Sequence, residues 1–486
     1  MCMCRGIHRP QSNIKGVYMK KSIILITLLL CLSLALSGCA AAAGSPAETA
    51  SGSYSAATTD DVKAALKDGS AVVIDARSQS AYSGWAAGEN TLAGHIAGAI
   101  DYSADWLTCA YDEQNNYEKM TRLDLLRKYM QDKDITSTTS VILYDENGKD
   151  AIAVAAFLAS EGVTSIRTYS LKDWSEPLVK FANYQLWVPV SVVHDLIEGK
   201  AVPEISSAAK PIILEVSWGK EDESGYLNGH VPGALHINSD DFDDENNLYL
   251  LESDDILLKQ ALSLGITADS TVIVTGDGIF ACRYSVILRY LGVKNVFVMS
   301  GGASAWANAG YAPETTSNKA TPVSDFGVTA PAHPEYIDTV AEVQQMMTDP
   351  NFTLVDNRTW EEYTGQTSGY SYLDKAGRID GAVYGFAGIN NSSSMLYYRN
   401  IDNTMRNPDE ILAMWKNAGI DTGKHLSFMC GGGYRAAEVL WDAWTMGLTD
   451  VSLFADGWTG WELQGLPSVT GEGGRCNPSR GGSSSH

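Results

Sequence analysis

Two hydrophobic rhythms take turns along this chain. Short strand-like stretches, each with an apolar run, recur at Ala71 to Arg77, Ser140 to Asp145, Pro211 to Val216, Thr271 to Thr275, Phe352 to Arg358 and Leu426 to Met429. Runs of that length, rich in Val and Ile, predict buried strands. Between them lie stretches with helical spacing: Val62 to Leu66, Ile152 to Gly162, Val192 to Leu196, Cys282 to Gly292, Thr339 to Met347, and a last one carrying Val439, Leu440 and Ala443. Strands alternating with helices predict an α/β fold, a parallel sheet covered by helices on both faces.

The order of elements repeats, and the repeats share markers. The first strand of a unit ends in Asp75 and Arg77, and later in Asp356 and Arg358. A glycine turn follows at Gly94-His95, Gly229-His230 and Gly377-Arg378. These predict tandem units at 58–185, 186–318 and 330–470. His95 and His230 read as turn residues, Asp356 and Arg358 as a tie at the strand end, and Trp458 and Trp461 as packing residues.

The chemistry concentrates after the strand Leu426 to Met429. Cys430 follows at once, then Gly431, Gly432, Gly433, Tyr434 and Arg435, where a helical pattern begins. Glycines let consecutive N–H groups turn inward, and a helix start adds partial positive charge. A cysteine in that cradle is expected to react as a thiolate nucleophile. The N–H groups of Gly431, Gly432, Gly433, Tyr434 and Arg435 are expected to stabilise an anionic sulfur. The Arg435 side chain either holds a donor's oxyanion or pairs with Glu438 or solvent. Tyr434 either faces the pocket mouth or packs.

Only one unit is armed. Gly447, which ends the last loop helix, lies seventeen residues after Cys430. The same offset from Gly162 reaches Asp145, and from Gly292 it reaches Thr275. Units one and two are thus expected to be inert, with Asp150 and Phe280 in the place of Arg435. Cys282 falls on a helix and reads as a core residue.

The ordered set Asp-x-Arg, Gly-His-Ile-x-Gly-Ala, cysteine loop and Gly-Gly-x-x-x-Trp resembles the rhodanese family, the thiosulfate and mercaptopyruvate sulfurtransferases. The resemblance covers nearly all of 58–470. It implies three rhodanese-like domains, the first two inactive. It also implies a sulfurtransferase in which Cys430 takes a sulfane sulfur from a donor such as thiosulfate and passes it to cyanide or a thiol. Many thiosulfate users carry a Lys or Arg inside the loop. Here the interior is Gly-Gly-Gly-Tyr, so a polysulfide, a persulfidated small thiol or a protein donor fits as well. The loop lacks the serine usual in the mercaptopyruvate branch. Rival readings are a tethered sulfur-relay or binding scaffold, and a cysteine-dependent phosphatase, whose loop is one residue longer.

Composition narrows the setting. With 45% hydrophobic and 19% charged residues the 486-residue chain packs a core and is no disordered chain. A net charge of −23 argues against nucleic acid as a partner. Residues 1–39 read as a lipoprotein leader with Met19 as the better start. The apolar run Ile23 to Ala35 is short, and Leu36-Ser37-Gly38-Cys39 resembles a lipid-attachment box. An exported, membrane-anchored protein is therefore expected, tethered through 40–57 and ending in a Gly/Ser-rich tail at 471–486. No Cys or His pair has metal-ligand spacing, and no cofactor is expected. Cys109, Cys282, Cys430 and Cys476 form no disulfide framework.

Overall fold

A computed structural model of the chain describes residues 54–86, 91–205, 210–244, 246 and 248–472. The leader with Cys39, residues 40–53 of the tether, Cys476 and the tail from 473 lie outside these residues. The end of the tether is ordered: Ser55 and Ala56 form an edge strand, β1, paired with Arg167 and Thr168. Composition alone gave no sign of this, because a two-residue edge strand needs only a neighbour with free backbone groups.

The first module holds β1 (Ser55–Ala56), β2 (Val72–Asp75), β3 (Ile100–Asp101), β4 (Ser140–Asp145) and β5 (Ser165–Ser170), with α1 (Thr59–Asp68), α2 (Gln79–Ser83), α3 (Arg122–Asp132) and α4 (Lys149–Ser160). The second holds β6 (Trp187–Val188), β7 (Ile212–Ser217), β8 (Leu235–Asn238), the hairpin β9 (Asp243–Asp244) and β10 (Leu250–Leu251), then β11 (Thr271–Gly276) and β12 (Asn295–Met299). Its helices are α5 (Val190–Ile197), α6 (Asp254–Ser263), α7 (Gly278–Leu291) and α8 (Ala305–Asn308). The third holds β13 (Ile337–Asp338), β14 (Phe352–Asp356), β15 (Val383–Tyr384), β16 (His425–Met429) and β17 (Val451–Phe454). It adds α9 (Val340–Met346), α10 (Trp360–Thr364), α11 (Pro408–Ala418), α12 (Tyr434–Thr445) and α13 (Gly457–Leu463).

Each module is one five-stranded parallel sheet of the same topology: β1-β5-β4-β2-β3, β6-β12-β11-β7-β8 and β13-β17-β16-β14-β15. The loop-bearing strand sits in the middle of each. Its backbone is therefore held on both sides, which fixes the position of whatever follows it. Four helices begin with a capping box, Thr58 with Asp61, Thr121 with Asp124, Thr339 with Glu342 and Thr359 with Glu362, which satisfies amides a helix start leaves open.

Modules two and three share a core. Helices α7 and α12 pack on one another, and one apolar cluster runs from Val272, Ile287 and Leu291 through to Leu440, Trp441 and Leu453. Trp187 Nε1 donates to Asp442 Oδ1 at 3.0 Å and Trp441 Nε1 to the Leu186 carbonyl at 3.2 Å. Every residue of α12 from Arg435 to Thr445 is buried.

Strand register corrects one alignment. Asp356 pairs with Met429 and Asp75 with Tyr144, so Asp145 stands where Cys430 does, as expected. In module two Glu215 pairs with Thr275. Thr275 therefore matches Met429, and Gly276, not Thr275, takes the cysteine's place. Alignment on the helix-ending glycine assumed equal spacing, but this copy is one residue shorter between strand end and glycine. Thr275 spends its hydroxyl on the Leu214 carbonyl at 2.9 Å.

Candidate active site

Cys430 begins the turn between β16 and α12. Gly433 closes that turn in the left-handed region, at φ 84° and ψ −6°, as the residue before α12. A side chain there would run into the Ala455 carbonyl at 2.5 Å and into Arg283 of module two, so only glycine fits. The loop's carbonyls point outward: Cys430 O accepts from Trp458 N at 2.9 Å and Gly431 O from Thr459 N at 3.0 Å. Helix α13 thus grips the loop from behind, and Gly457 lies so close to Cys430 O that a β-carbon would clash. Among the described residues, the amides of 431 to 436 meet no acceptor within the protein. That leaves them open to a guest, as the expected cradle requires.

Module one shows what such a ring does. The Asp145 carboxylate accepts from the amides of Asn147 at 3.1 Å, Gly148 at 2.5 Å and Ala151 at 2.9 Å. This copy, with Asp145 at the cysteine's position, has folded its own carboxylate into the loop.

Arg435 is buried and does not meet Glu438. Its Nη1 and Nη2 donate to the two carboxylate oxygens of Glu362, each at 2.8 Å, and Nη2 also donates to the Tyr370 hydroxyl at 2.8 Å. Glu438 is occupied by Arg399, whose Nε lies 2.6 Å from Oε1. Burial opposes ionisation of Glu362, but the Arg435 charge and hydrogen bonds outweigh it and hold the carboxyl below its usual range. Glu362 was not singled out in the sequence, since its partner lies 73 positions away. Its capping-box spacing from Thr359 was a signal for a helix start only.

The Tyr434 side chain turns into module two. It meets Phe280 edge-on at 5.0 Å between ring centres, and Arg283 lies 5.6 Å from its ring. Its contribution to the ring of amides is its backbone N–H. Arg283, from the inert module, is fully buried and gives Nη2 to Asp243 at 2.9 Å and Nε at 3.2 Å. Burial pushes the Asp243 carboxyl up to about 6 against the pull of Arg283.

Tyrosines roof the loop. Tyr370 stands over Gly431, so close that a β-carbon on Gly431 would overlap its ring, and the Tyr249 carbonyl at the tip of the module-two hairpin lies over Gly432. Tyr372 joins them, 5.3 Å from the Tyr370 ring and 5.1 Å from that of Tyr249. Burial pushes the Tyr372 hydroxyl up to about 12 and the Tyr370 hydroxyl further. Beneath this roof Cys430 is 1% exposed.

The remaining candidates are structural. Arg358 grips Asp356 through Nε at 2.8 Å and Nη2 at 2.7 Å, and reaches the Gly377 carbonyl at 2.8 Å. Arg77 makes the same grip on Asp75. His95 and His230 hydrogen-bond the Tyr82 and Tyr226 carbonyls and stack on those rings. Cys282 is free and buried within α7. Trp458 and Trp461 pack with Val340, Val343 and Leu354.

A family model described as the rhodanese-like domain matches residues 58–176, 200–309 and 339–464. The chain is 35% identical over 410 residues to the thiosulfate sulfurtransferase YnjE of Escherichia coli, covering 82% of this chain and 89% of that one. It is 26% identical over 277 residues to thiosulfate sulfurtransferase of Bos taurus, covering 54% and 90%. Among solved structures it is similar to the anaerobic ergothioneine biosynthesis enzyme from Chlorobium limicola in complex with its natural substrate trimethyl histidine. That match has TM-score 0.78 and 30% identity over 86% of this chain and 99% of the other. A structure of EanB with a cysteine persulfide in a tetrahedral intermediate state with ergothioneine matches equally, with TM-score 0.78 over 86% and 100%.

Proposed function

The chain belongs to the rhodanese-like domain family as three tandem copies, and from that premise we propose that Cys430 of this sulfur-transfer enzyme is the sulfur carrier. The Cys430 thiolate attacks the outer sulfur of a sulfane donor, the donor's S–S bond breaks, and the leaving group departs with the electron pair. Cys430 is left as a persulfide, and a second nucleophile, cyanide or a thiol, takes the outer sulfur and restores the thiolate. The observation that carries this reading is the run of amides at 431 to 436, which meets no acceptor among the described residues and directly follows the strand end that bears the cysteine. The carboxylate held by the matching loop at Asp145 supports it. With Cys430 so covered, a donor enters when Tyr370 or the hairpin tip at Tyr249 moves aside. Intact mass measurement after exposure to thiosulfate or a persulfide is expected to show one added sulfur atom, removed by cyanide as thiocyanate. Sulfur uptake or thiocyanate formation that persists in Cys430→Ser refutes the assignment.

A second reading concerns the acceptor. The tyrosines over the loop favour a flat ring, and the Chlorobium limicola relative acts on trimethyl histidine. An imidazole acceptor is tested by incubating the persulfidated protein with trimethyl histidine and looking for a sulfur-bearing product. Export and anchoring through Cys39 complete the proposal; fatty-acid labelling that is lost in Cys39→Ser tests them.

A further inference from the structure

Each of the three arginines around the loop is paired with a carboxylate, although Arg435 Nε, Arg283 Nη1 and Arg358 Nη1 have no hydrogen-bond partner among the described residues. Arg435 is matched by Glu362 with both oxygens at 2.8 Å, Arg283 by Asp243 at 2.9 Å, and Arg358 by Asp356 at 2.7 Å. A further carboxylate, Asp456, stands at the base of the loop and accepts from Leu251 N at 3.2 Å. Glu362 and Arg435 are each about 1% exposed, so water does little to screen either charge. The loop interior itself carries no cation. A dianion entering here meets backbone dipoles and a helix start, while the charges of Arg435, Arg283 and Arg358 are each already matched by a carboxylate. We propose that Glu362 is the specificity-determining residue of the sulfur-loading step: by neutralising Arg435 it turns the site from dianionic donors such as thiosulfate toward neutral or singly charged ones, small alkyl persulfides.

This rests on Cys430 as the sulfur carrier. With an alkyl persulfide, the Cys430 thiolate attacks the terminal sulfur of R–S–SH and the S–S bond breaks. The alkyl thiolate leaves with the electron pair and takes the proton of the new persulfide, the stronger acid. With thiosulfate the same attack expels sulfite. Neither route needs an oxidant or reductant, and both leave the same adduct on Cys430, so the two donors compare directly.

The experiment follows Cys430 persulfidation by intact mass with cysteine persulfide and with thiosulfate, as a ratio of second-order rate constants. Wild-type protein is expected to load from cysteine persulfide at least tenfold faster. Glu362→Gln leaves the Arg435 charge unmatched and is expected to move the ratio tenfold or more toward thiosulfate. The double variant Glu362→Gln, Arg435→Gln restores neutrality and is expected to return the ratio to the wild-type value. A wild-type ratio near one, or a ratio unmoved in folded Glu362→Gln, overturns the proposal. If the single variant does not fold, the double variant decides. A selective loss of thiosulfate loading there means that Arg435 binds the sulfonate despite its partner, which overturns the proposal; an unchanged ratio upholds it. Failure of both donors to load Cys430 in the wild type refutes instead the carrier reading on which this rests.

Discussion

Replacing Gly433 with alanine tests the loop geometry most directly. Gly433 sits at φ 84°, where an L-residue costs about 1–2 kcal/mol. The new methyl group would also press on the Ala455 carbonyl at 2.5 Å and on buried Arg283. Neither can retreat freely: Ala455 follows directly on β17, which is paired on both sides, and Arg283 is fixed by Asp243. Overpacking of that kind costs about 1–3 kcal/mol, so the total is about 2–5 kcal/mol. Gly419 is an internal control. It ends α11 at φ 80° with nothing within 4 Å of an added β-carbon. Gly419→Ala is therefore expected to cost only the backbone share, about 1–2 kcal/mol. The assay is urea unfolding followed by tryptophan fluorescence, comparing midpoints at matched slopes. Sulfur loading is measured on the folded fraction. Gly433→Ala is expected to unfold at clearly lower urea and to load at least tenfold more slowly, with Gly419→Ala loading as the wild type. Equal midpoint shifts would mean that the loop relaxes around a methyl group, and the close approach of module two would not define its shape.

Other perturbations read other parts of the design. Arg358→Met leaves Asp356 buried without its partner and is expected to cost about 3–5 kcal/mol, most of it recovered in the double variant with Asp356→Leu; urea midpoints check this. Asp145→Ala removes the acceptor from three loop amides of module one and is expected to cost about 1–3 kcal/mol, with added sulfate restoring part of the lost melting temperature in that variant only. Glu362 has a folded-state pKa depressed by Arg435, so the stability it contributes is fully present above the unfolded glutamate value of about 4.3 and is lost as pH falls through the folded value. Acid titration of wild type against Glu362→Gln is expected to show a shallower loss below that pH in the variant.

Much of this molecule could be read from local pattern. The strand at His425–Met429, the turn of glycines and the helix after Arg435 follow from residues adjacent in the chain, and so does the Asp356–Arg358 grip across two positions. What escaped was set by distance. Glu362 meets Arg435 across 73 residues, and Arg283 and Tyr249 reach the loop from another module. Periodicity carries no information about such meetings. The one-residue shift at Gly276 escaped for a different reason: helix ends slide without disturbing hydrophobic spacing, whereas the ladder between β7 and β11 admits only one register.

A duplicated binding loop can lose its guest by erasure or by growing one of its own. Module two took the first course, with Gly276 at the decisive place. Module one took the second, closing its amides on the Asp145 carboxylate. An anionic inhibitor or affinity label that seeks this kind of loop therefore finds module one already filled from within.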